Sequence, residues 1–274
     1  MRTLVHLSDL HFGRVDVALI DPLIQLVMQL KPDVVVVSGD LTQRARSEEF
    51  KQARQFLDAL PSPKIIVPGN HDVPLYNIFN RFARPLDQYR RYITNDLQPF
   101  FADDEIAILG INSARSLTFK NGRINERQIA DIQARLSTLD SHTVKVIVTH
   151  HPFDLPADYA KKKVVGRAPM AMKIFARHSA DLLLAGHLHV SHAGSTAARY
   201  ALKGYAALVV QAGTATSTRS RGESNSFNVI EINSPHISIK RFTWVPERGA
   251  FTVSGKELFQ RGANGWSRDS ATKE

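Results

Sequence analysis

Up to about residue 190, short apolar runs alternate with amphipathic stretches. The runs are Leu4-Val5-His6-Leu7, Val34 to Val37, Ile65-Ile66-Val67, Val144 to Val148 and Leu182 to Leu184. Continuous runs this short, several of them rich in β-branched residues, predict strands buried on both faces. Between them, Leu23, Leu26, Val27 and Leu30 follow Asp21-Pro22 at helical spacing and stop at Pro32. Ser47 is the expected N-cap of a helix carrying Phe50, Ala53, Phe56, Leu57 and Leu60 and ended by Pro61. Asn125 with Gln128 is a capping-box pattern, and Ile129, Ile132, Leu136 and Leu139 form the apolar stripe behind it. Residues 106–111 predict a further strand, 153–168 a loop and 169–178 a short helix. This succession predicts β-α-β units and a parallel sheet.

Two regions break the alternation. Residues 73–103 hold Tyr76, Phe79, Phe82, Tyr89, Tyr92, Phe100 and Phe101 among several arginines, which predicts a helical insertion whose aromatics mostly pack in the core. After His189, residues 193–199, 205–212, 226–232 and 236–244 predict strands without helices between them, expected to pair antiparallel in a second sheet. Residues 247–261 suggest a hairpin and 263–274 a disordered tail. The expected architecture is α/β, a four-layer α/β/β/α sandwich of two mixed sheets, as one domain over residues 1–262.

Composition narrows the function. Apolar residues make up 43% of 274, enough for a sizeable core. Cysteine is absent, which excludes disulfides, thiolate zinc sites and cysteine nucleophiles and is compatible with the cytoplasm. Asp9, His11, Arg14 and Asp16 interrupt residues 1–20, so no signal peptide is expected. No run nears the roughly 18 apolar residues of a transmembrane segment. The net charge of +9 favours anionic partners such as nucleotides, nucleic acid or an anionic membrane face. Its local concentrations, Lys161-Lys162-Lys163 and Arg219/Arg221, lack the interleaved aromatics of a single-strand platform.

The chemistry sits where the strands end. Ser8-Asp9-Leu10-His11, Gly39-Asp40, Gly69-Asn70-His71-Asp72, Thr149-His150-His151-Pro152 and Gly186-His187-Leu188-His189 each follow a predicted strand. Ligands of open α/β sheets bind beyond the carboxyl ends of the strands. Asp40 and Asn70 are thereby expected at one edge of one sheet, and donors of the same chemistry at the same end of five strands predict a metal cluster. Imidazole and carboxylate together suit Mn, Fe, Zn or Co rather than Ca or Mg alone. Gly39, Gly69 and Gly186 precede candidate ligands, where the chain must turn sharply or approach the metals closely.

These motifs, in this order over residues 2 to about 190, resemble the calcineurin-like metallophosphoesterases. The resemblance implies two divalent or mixed-valence transition metal ions. Asp9, His11 and His189 would bind the first and Asn70, His150 and His187 the second, with Asp40 bridging them. His71 would face the leaving-group oxygen, donating a proton or stabilising charge, while Asp72 orients His71 or a ligand. His151 would line the pocket. Such ions, about 3.5–4 Å apart, hold a phosphoryl group and activate a bridging hydroxide. His6, His142, His178, His192 and His236 lie outside the motifs and are expected to be structural or on the surface.

Departures narrow the group. Leu41-Thr42-Gln43-Arg44-Ala45 lacks the acidic-Arg-Gly ending of the protein serine/threonine phosphatases, and Gln43 stands where purple acid phosphatases place a metal-binding Tyr. The stretch after His189 is short for the cap domain of the DNA exonuclease branch. Chain length and His150-His151-Pro152 resemble the class III cyclic-nucleotide phosphodiesterases. The expected substrate is a small anionic phosphodiester, first a 3′,5′-cyclic nucleotide, with Ser217, Thr218, Arg219 and Asn225 within its reach. Alternatives are a UDP-2,3-diacylglucosamine pyrophosphatase, using residues 73–103 for an apolar cleft and weak contact with anionic membranes, and a DNA exonuclease-like phosphoesterase. A catalytically inert scaffold would lack ligands, and none is missing.

Overall fold

All four valines of Val34–Val37 are buried, because their sheet is covered on both faces. Val34 and Val36 join a core shared with Ile106, Val146 and Leu184 of a second sheet. Val35 and Val37 pack the other way, with Phe50, Phe56 and Leu23 of the helices outside. The computed structural model describes residues 1–75, 78–116, 121–156, 159, 163–219 and 222–269. Tyr76, Lys161, Lys162 and Arg221 lie outside these.

The first sheet begins with β1 (Arg2–Leu7), β2 (Val34–Val37) and β3 (Lys64–Ile66), mutually parallel and joined by α1 (Ile20–Leu30) and α2 (Ser47–Ala59). Two short helices, α3 (Ile78–Ala83) and α4 (Asp87–Tyr92), lead to β4 (Phe100–Ala102) and β5 (Ile106–Gly110) of the second sheet. There α5 (Glu126–Ser137), β6 (Val144–Val148), α6 (Ala168–Arg177), β7 (Leu182–Ala185), β8 (His192–Ser195) and β9 (Leu208–Gln211) follow. Its order is β4-β5-β6-β7-β9-β8, parallel in the centre and antiparallel at both edges. The chain then returns to the first sheet as β10 (Ser226–Asn233), β11 (His236–Val245), β12 (Ala250–Gly262) and β13 (Gly265–Arg268), an antiparallel run ending that sheet as β13-β12-β11-β10-β1-β2-β3.

Leu109, Ile147 and Leu183 pack outward on Ile129, Ile132, Met172 and Phe175 of α5 and α6. The layers are therefore α/β/β/α, as the sequence predicts. The allocation of strands differs. The antiparallel strands after residue 225 do not build the second sheet. β10 pairs with β1 from Arg2↔Ile232 to His6↔Asn228 and so extends the first. The second sheet grows from the parallel β5, β6, β7 and β9. Apolar patterning reveals that a strand is two-sided but not which strand it pairs with. Gly265–Arg268, expected in a disordered tail, pairs with the end of β12 and buries Trp266.

Local signals hold in part. Asn125 and Gln128 close the expected capping box at 2.8 and 3.0 Å. Ser47 does not cap α2. Its hydroxyl donates to Gln88 at 3.1 Å, and Glu49 instead accepts the backbone N–H of Arg44 (2.7 Å) and Arg46 (3.3 Å). Within residues 73–103, Tyr89 is buried and Tyr92 stacks on Phe50, while Phe79 and Phe82 are 74% and 51% exposed. Core packing thus accounts for only some of these aromatics.

Candidate metal centre

The loops beyond β1, β2 and β3 of the first sheet meet those beyond β6 and β7 of the second between the two sheets, and Asp40 and Asn70 follow neighbouring strands of one sheet as expected. Within the first sheet, Asp9 N–H donates to Gly39 O (3.1 Å) and His11 N–H to Asp40 O (2.9 Å). Across the gap, His187 N–H donates to Asp9 Oδ2 (2.9 Å) and His150 Nδ1 to Ser38 O (2.8 Å). Gly39 adopts φ +93, and a Cβ there would meet Gly69 N and His150 Nδ1 at 2.8 Å. A Cβ on Gly69 would overlap Asp40, and one on Gly186 would overlap Ser8. These glycines let the ligand loops touch each other.

Asp9, His11, Asp40 and His189 gather with one donor atom each inside 4.8 Å, and His150, His151 and His187 do the same. Asp40 stands between the groups, its Oδ2 at 3.8 Å from His11 Nε2 and 3.3 Å from His150 Nε2. Asn70 Oδ1 lies 3.1 Å from His150 Nε2. Asp9, His11, Asp40, His187 and His189 all have φ between 52 and 73, a region non-glycine residues rarely occupy.

Most of these side chains have one atom tied down and another turned inward. Asp9 Oδ2 accepts from Ser8 Oγ (2.7 Å) and His187 N, leaving Oδ1 buried without a hydrogen-bond partner. Asp40 Oδ1 accepts from His71 N (2.8 Å), leaving Oδ2. His150 and His189 spend Nδ1 on the carbonyls of Ser38 (2.8 Å) and Arg219 (3.2 Å), so each neutral ring presents a lone pair at Nε2. Acceptors therefore face acceptors: His189 Nε2 lies 3.2 Å from Asp9 Oδ1, and His150 Nε2 faces Asp40 Oδ2 and Asn70 Oδ1, while His11 Nε2 stands 3.3 Å from His189 Nε2. Buried acceptors arranged so need protons or cations between them. The donor set fits a pair of transition metal ions.

The electrostatics agree. Burial would raise the Asp9 carboxyl, but the charge of His189 and contacts from His11 and His189 hold it well below the usual carboxylate range. Asp40 is likewise lowered: burial opposes this, and the charge of His150 is the largest of the effects that overcome it. Burial opposes a proton on His150, yet Asp40 raises that ring to about 9. Burial, then the charge of His150, lowers His187 to about 3.

Around this set, His71 lies edge-on to His11 with centroids 4.9 Å apart. Its Nδ1 meets Gln43 O at 2.8 Å and its Nε2 meets Arg219 Nη1 at 3.1 Å. His151 Nδ1 meets Ser113 Oγ at 2.8 Å, and its Nε2 is buried without a partner. Among the described residues Asp72 has no hydrogen bond to the ring of His71 or to a candidate ligand side chain; it accepts from the backbone of Leu41 (3.1 Å), Thr42 (2.9 Å) and Gly69 (2.9 Å). Burial, then the charge of Asp40, pushes it up to about 6. Sequence reasoning missed Thr214 and Thr216, which donate to Asp9 O (2.7 Å) and Leu10 O (2.8 Å) and clamp the first ligand loop. Their one visible signal is the alternation Thr214-Ala215-Thr216 just past β9, with Ala215 buried.

A four-layer sandwich that draws aspartate and histidine from the ends of both sheets defines a metallophosphatase. The sequence profile of the calcineurin-like phosphoesterases matches residues 2–191, and the chain belongs to that family. It is 30% identical over 204 residues to the glycerophosphodiester phosphodiesterase GpdQ of Enterobacter lignolyticus, covering 66% of this chain and 72% of that one. It is 26% identical over 170 residues to a probable cyclic nucleotide phosphodiesterase of Synechococcus, covering 59% of each. The purple acid phosphatase PPD1 of yellow lupin shares the fold, with a TM-score of 0.71 at 10% identity over 94% of this chain and 53% of the lupin chain. Among the described residues no helix is long and apolar enough to cross a membrane.

Proposed function

We propose that the protein hydrolyses a small anionic phosphodiester at a two-metal centre, with a 3′,5′-cyclic nucleotide as the first substrate to try. The supporting observation is the set of acceptor atoms of Asp9, Asp40, Asn70, His150 and His189 facing one another between the sheets, with His11 Nε2 3.3 Å from His189 Nε2. Asp9, His11 and His189 would hold one ion, Asn70, His150 and His187 the other, and Asp40 both. When bound, the ions supply Lewis acidity toward a phosphoryl oxygen and an activated water. The chain does the rest. Carbonyls of Ser38 and Arg219 fix the tautomers of His150 and His189, and outer contacts of this kind raise ligand basicity. Asp40 is held by the N–H of His71, which keeps its other oxygen turned inward. His71, beside His11, stands on the leaving-group side.

A glycerophosphodiester is the second candidate, favoured by the 30% identity to GpdQ. The test is a panel on metal-reconstituted protein: cyclic nucleotides, glycerophosphodiesters, bis(p-nitrophenyl) phosphate, p-nitrophenyl phosphate and a UDP-sugar lipid. Diesterase activity should exceed monoesterase activity. Elemental analysis should find two metal ions per chain, and Asp40→Ala and Asn70→Ala should abolish turnover. Full activity in either variant overturns the site assignment.

A further inference from the structure

Arg219 is tied to the centre twice. Its carbonyl accepts from His189 Nδ1 at 3.2 Å, and its Nη1 donates to His71 Nε2 at 3.1 Å and to Gln43 Oε1 at 3.5 Å. The turn that carries it is anchored: Arg219 N–H donates to Ser217 Oγ (3.0 Å), Thr218 N–H to Arg14 O (3.0 Å) and Asn225 Nδ2 to Ser217 O (2.9 Å). Arg219 and His71 are both only partly buried, so an incoming anion has access to them.

The partners of His71 decide what it can do. Gln43 O is an acceptor, so Nδ1 must donate to it. A guanidinium has no lone pair, so Nε2 must accept from Arg219. The neutral ring therefore holds its proton at Nδ1 and has none at Nε2 to give a leaving group. The donor at that position is the guanidinium.

We propose that Arg219 is a catalytic residue that contacts the phosphodiester and stabilises the charge developing on the departing oxygen, with His71 as the positioning residue that aims it. The proposal rests on the phosphodiesterase reading above. Hydrolysis forms one P–O bond from water and breaks one to the alcohol, whose oxygen keeps the bonding pair. Arginine stays protonated throughout, so the proton that completes the alcohol is the one released by the attacking water, carried through solvent. Guanidinium suits this task because it is permanently charged and its planar fork matches phosphate oxygens. Removing one such preorganised donor typically costs about 10²–10³-fold in kcat.

The test compares leaving groups. Stabilising charge on the departing oxygen matters most for a poor leaving group, so Arg219→Ala should lose about 10²–10³-fold in kcat on a cyclic nucleotide and much less on bis(p-nitrophenyl) phosphate. Arg219→Lys should recover part of the loss. In metal-free protein, the ¹⁵N resonances of His71 should report a proton on Nδ1, and the Nε2 signal should move in Arg219→Ala. Unchanged kcat in an active background overturns the proposal. So does an equal loss on both substrates accompanied by loss of bound metal, which would make Arg219 only a backbone prop for His189. If Arg219→Ala fails to fold, Arg219→Gln, which keeps length without charge, gives the same comparison. A two-metal wild type inactive on every diester would sink the phosphodiesterase reading itself, a result distinct from an active wild type indifferent to Arg219.

Discussion

Asp72 Oδ1 accepts both the backbone N–H and the hydroxyl of Thr42, at 2.9 and 3.0 Å. Its other oxygen takes the N–H groups of Leu41 (3.1 Å) and Gly69 (2.9 Å). One buried carboxylate thus buckles the loop carrying Asp40 to the loop carrying Asn70. Asp72→Ala strands these donors, so it should destabilise the metal-free protein by about 3 kcal/mol and weaken metal binding about 10–100-fold. Urea unfolding and a metal titration measure both. Wild-type metal affinity in the variant would contradict the buckle.

Gly186 is a close crossing between the sheets, since a Cβ there would overlap Ser8 Oγ and stand 2.5 Å from Asp9 Oδ2. Gly186→Ala should cost about 1–3 kcal/mol, the usual penalty of overpacking, and should displace Asp9. Thermal unfolding reports the first effect and metal stoichiometry the second. A fully loaded, equally stable variant would show that the loops separate freely.

Metal should stabilise this fold, because the donors converge only in the native state. At about a hundredfold excess over Kd the gain is about 2.7 kcal/mol. Manganese or zinc should therefore raise the Tm of chelator-treated wild type. Asp40→Ala should respond far less, having lost the carboxylate that stands between both groups.

His6 sets an acid limit apart from the centre. It is buried on β1 with Nε2 at 2.9 Å from Ser38 Oγ, and burial lowers its ring from 6.5 to about 3. Between these values the unfolded chain binds a proton that the folded chain refuses. Its stabilising contribution is therefore intact above pH 6.5 and is lost as pH falls toward 3. The slope is about 1.4 kcal/mol per pH unit at most. Urea unfolding of metal-free protein from pH 7 to 4 should show a shallower acid decline in His6→Gln. Parallel curves would mean that His6 already titrates normally.

The candidate site was legible where a strand and its ligand are neighbours in sequence. Asp40 follows Val34–Val37 within a few residues, and His187 and His189 follow β7 in the same way. Both the apolar run and the polar end are local, so the pattern preserves them. What the pattern does not carry is partnership. Thr214 reaches the carbonyl of Asp9 across a separation of 205 residues. Nothing in its neighbourhood marks it apart from the Thr-Ala-Thr alternation. The same holds for β10, whose alternation fits an antiparallel strand of either sheet until its register with β1 is known. The role of Asp72 was hidden for a related reason: its partners are backbone amides, which every sequence possesses.

Asp9, His11, Asp40, His187 and His189 share left-handed backbone angles. Each such residue costs on the order of 1–3 kcal/mol, and all five lie where the two sheets meet. The chain accordingly concentrates its conformational debt in the few residues of the candidate metal centre and discharges it through the valine- and leucine-rich layers behind them. Selection for thermal hardiness alone would push these positions toward glycine and erode the donor set. A hardier descendant of this protein obtained without an activity screen is therefore expected to be a poorer catalyst.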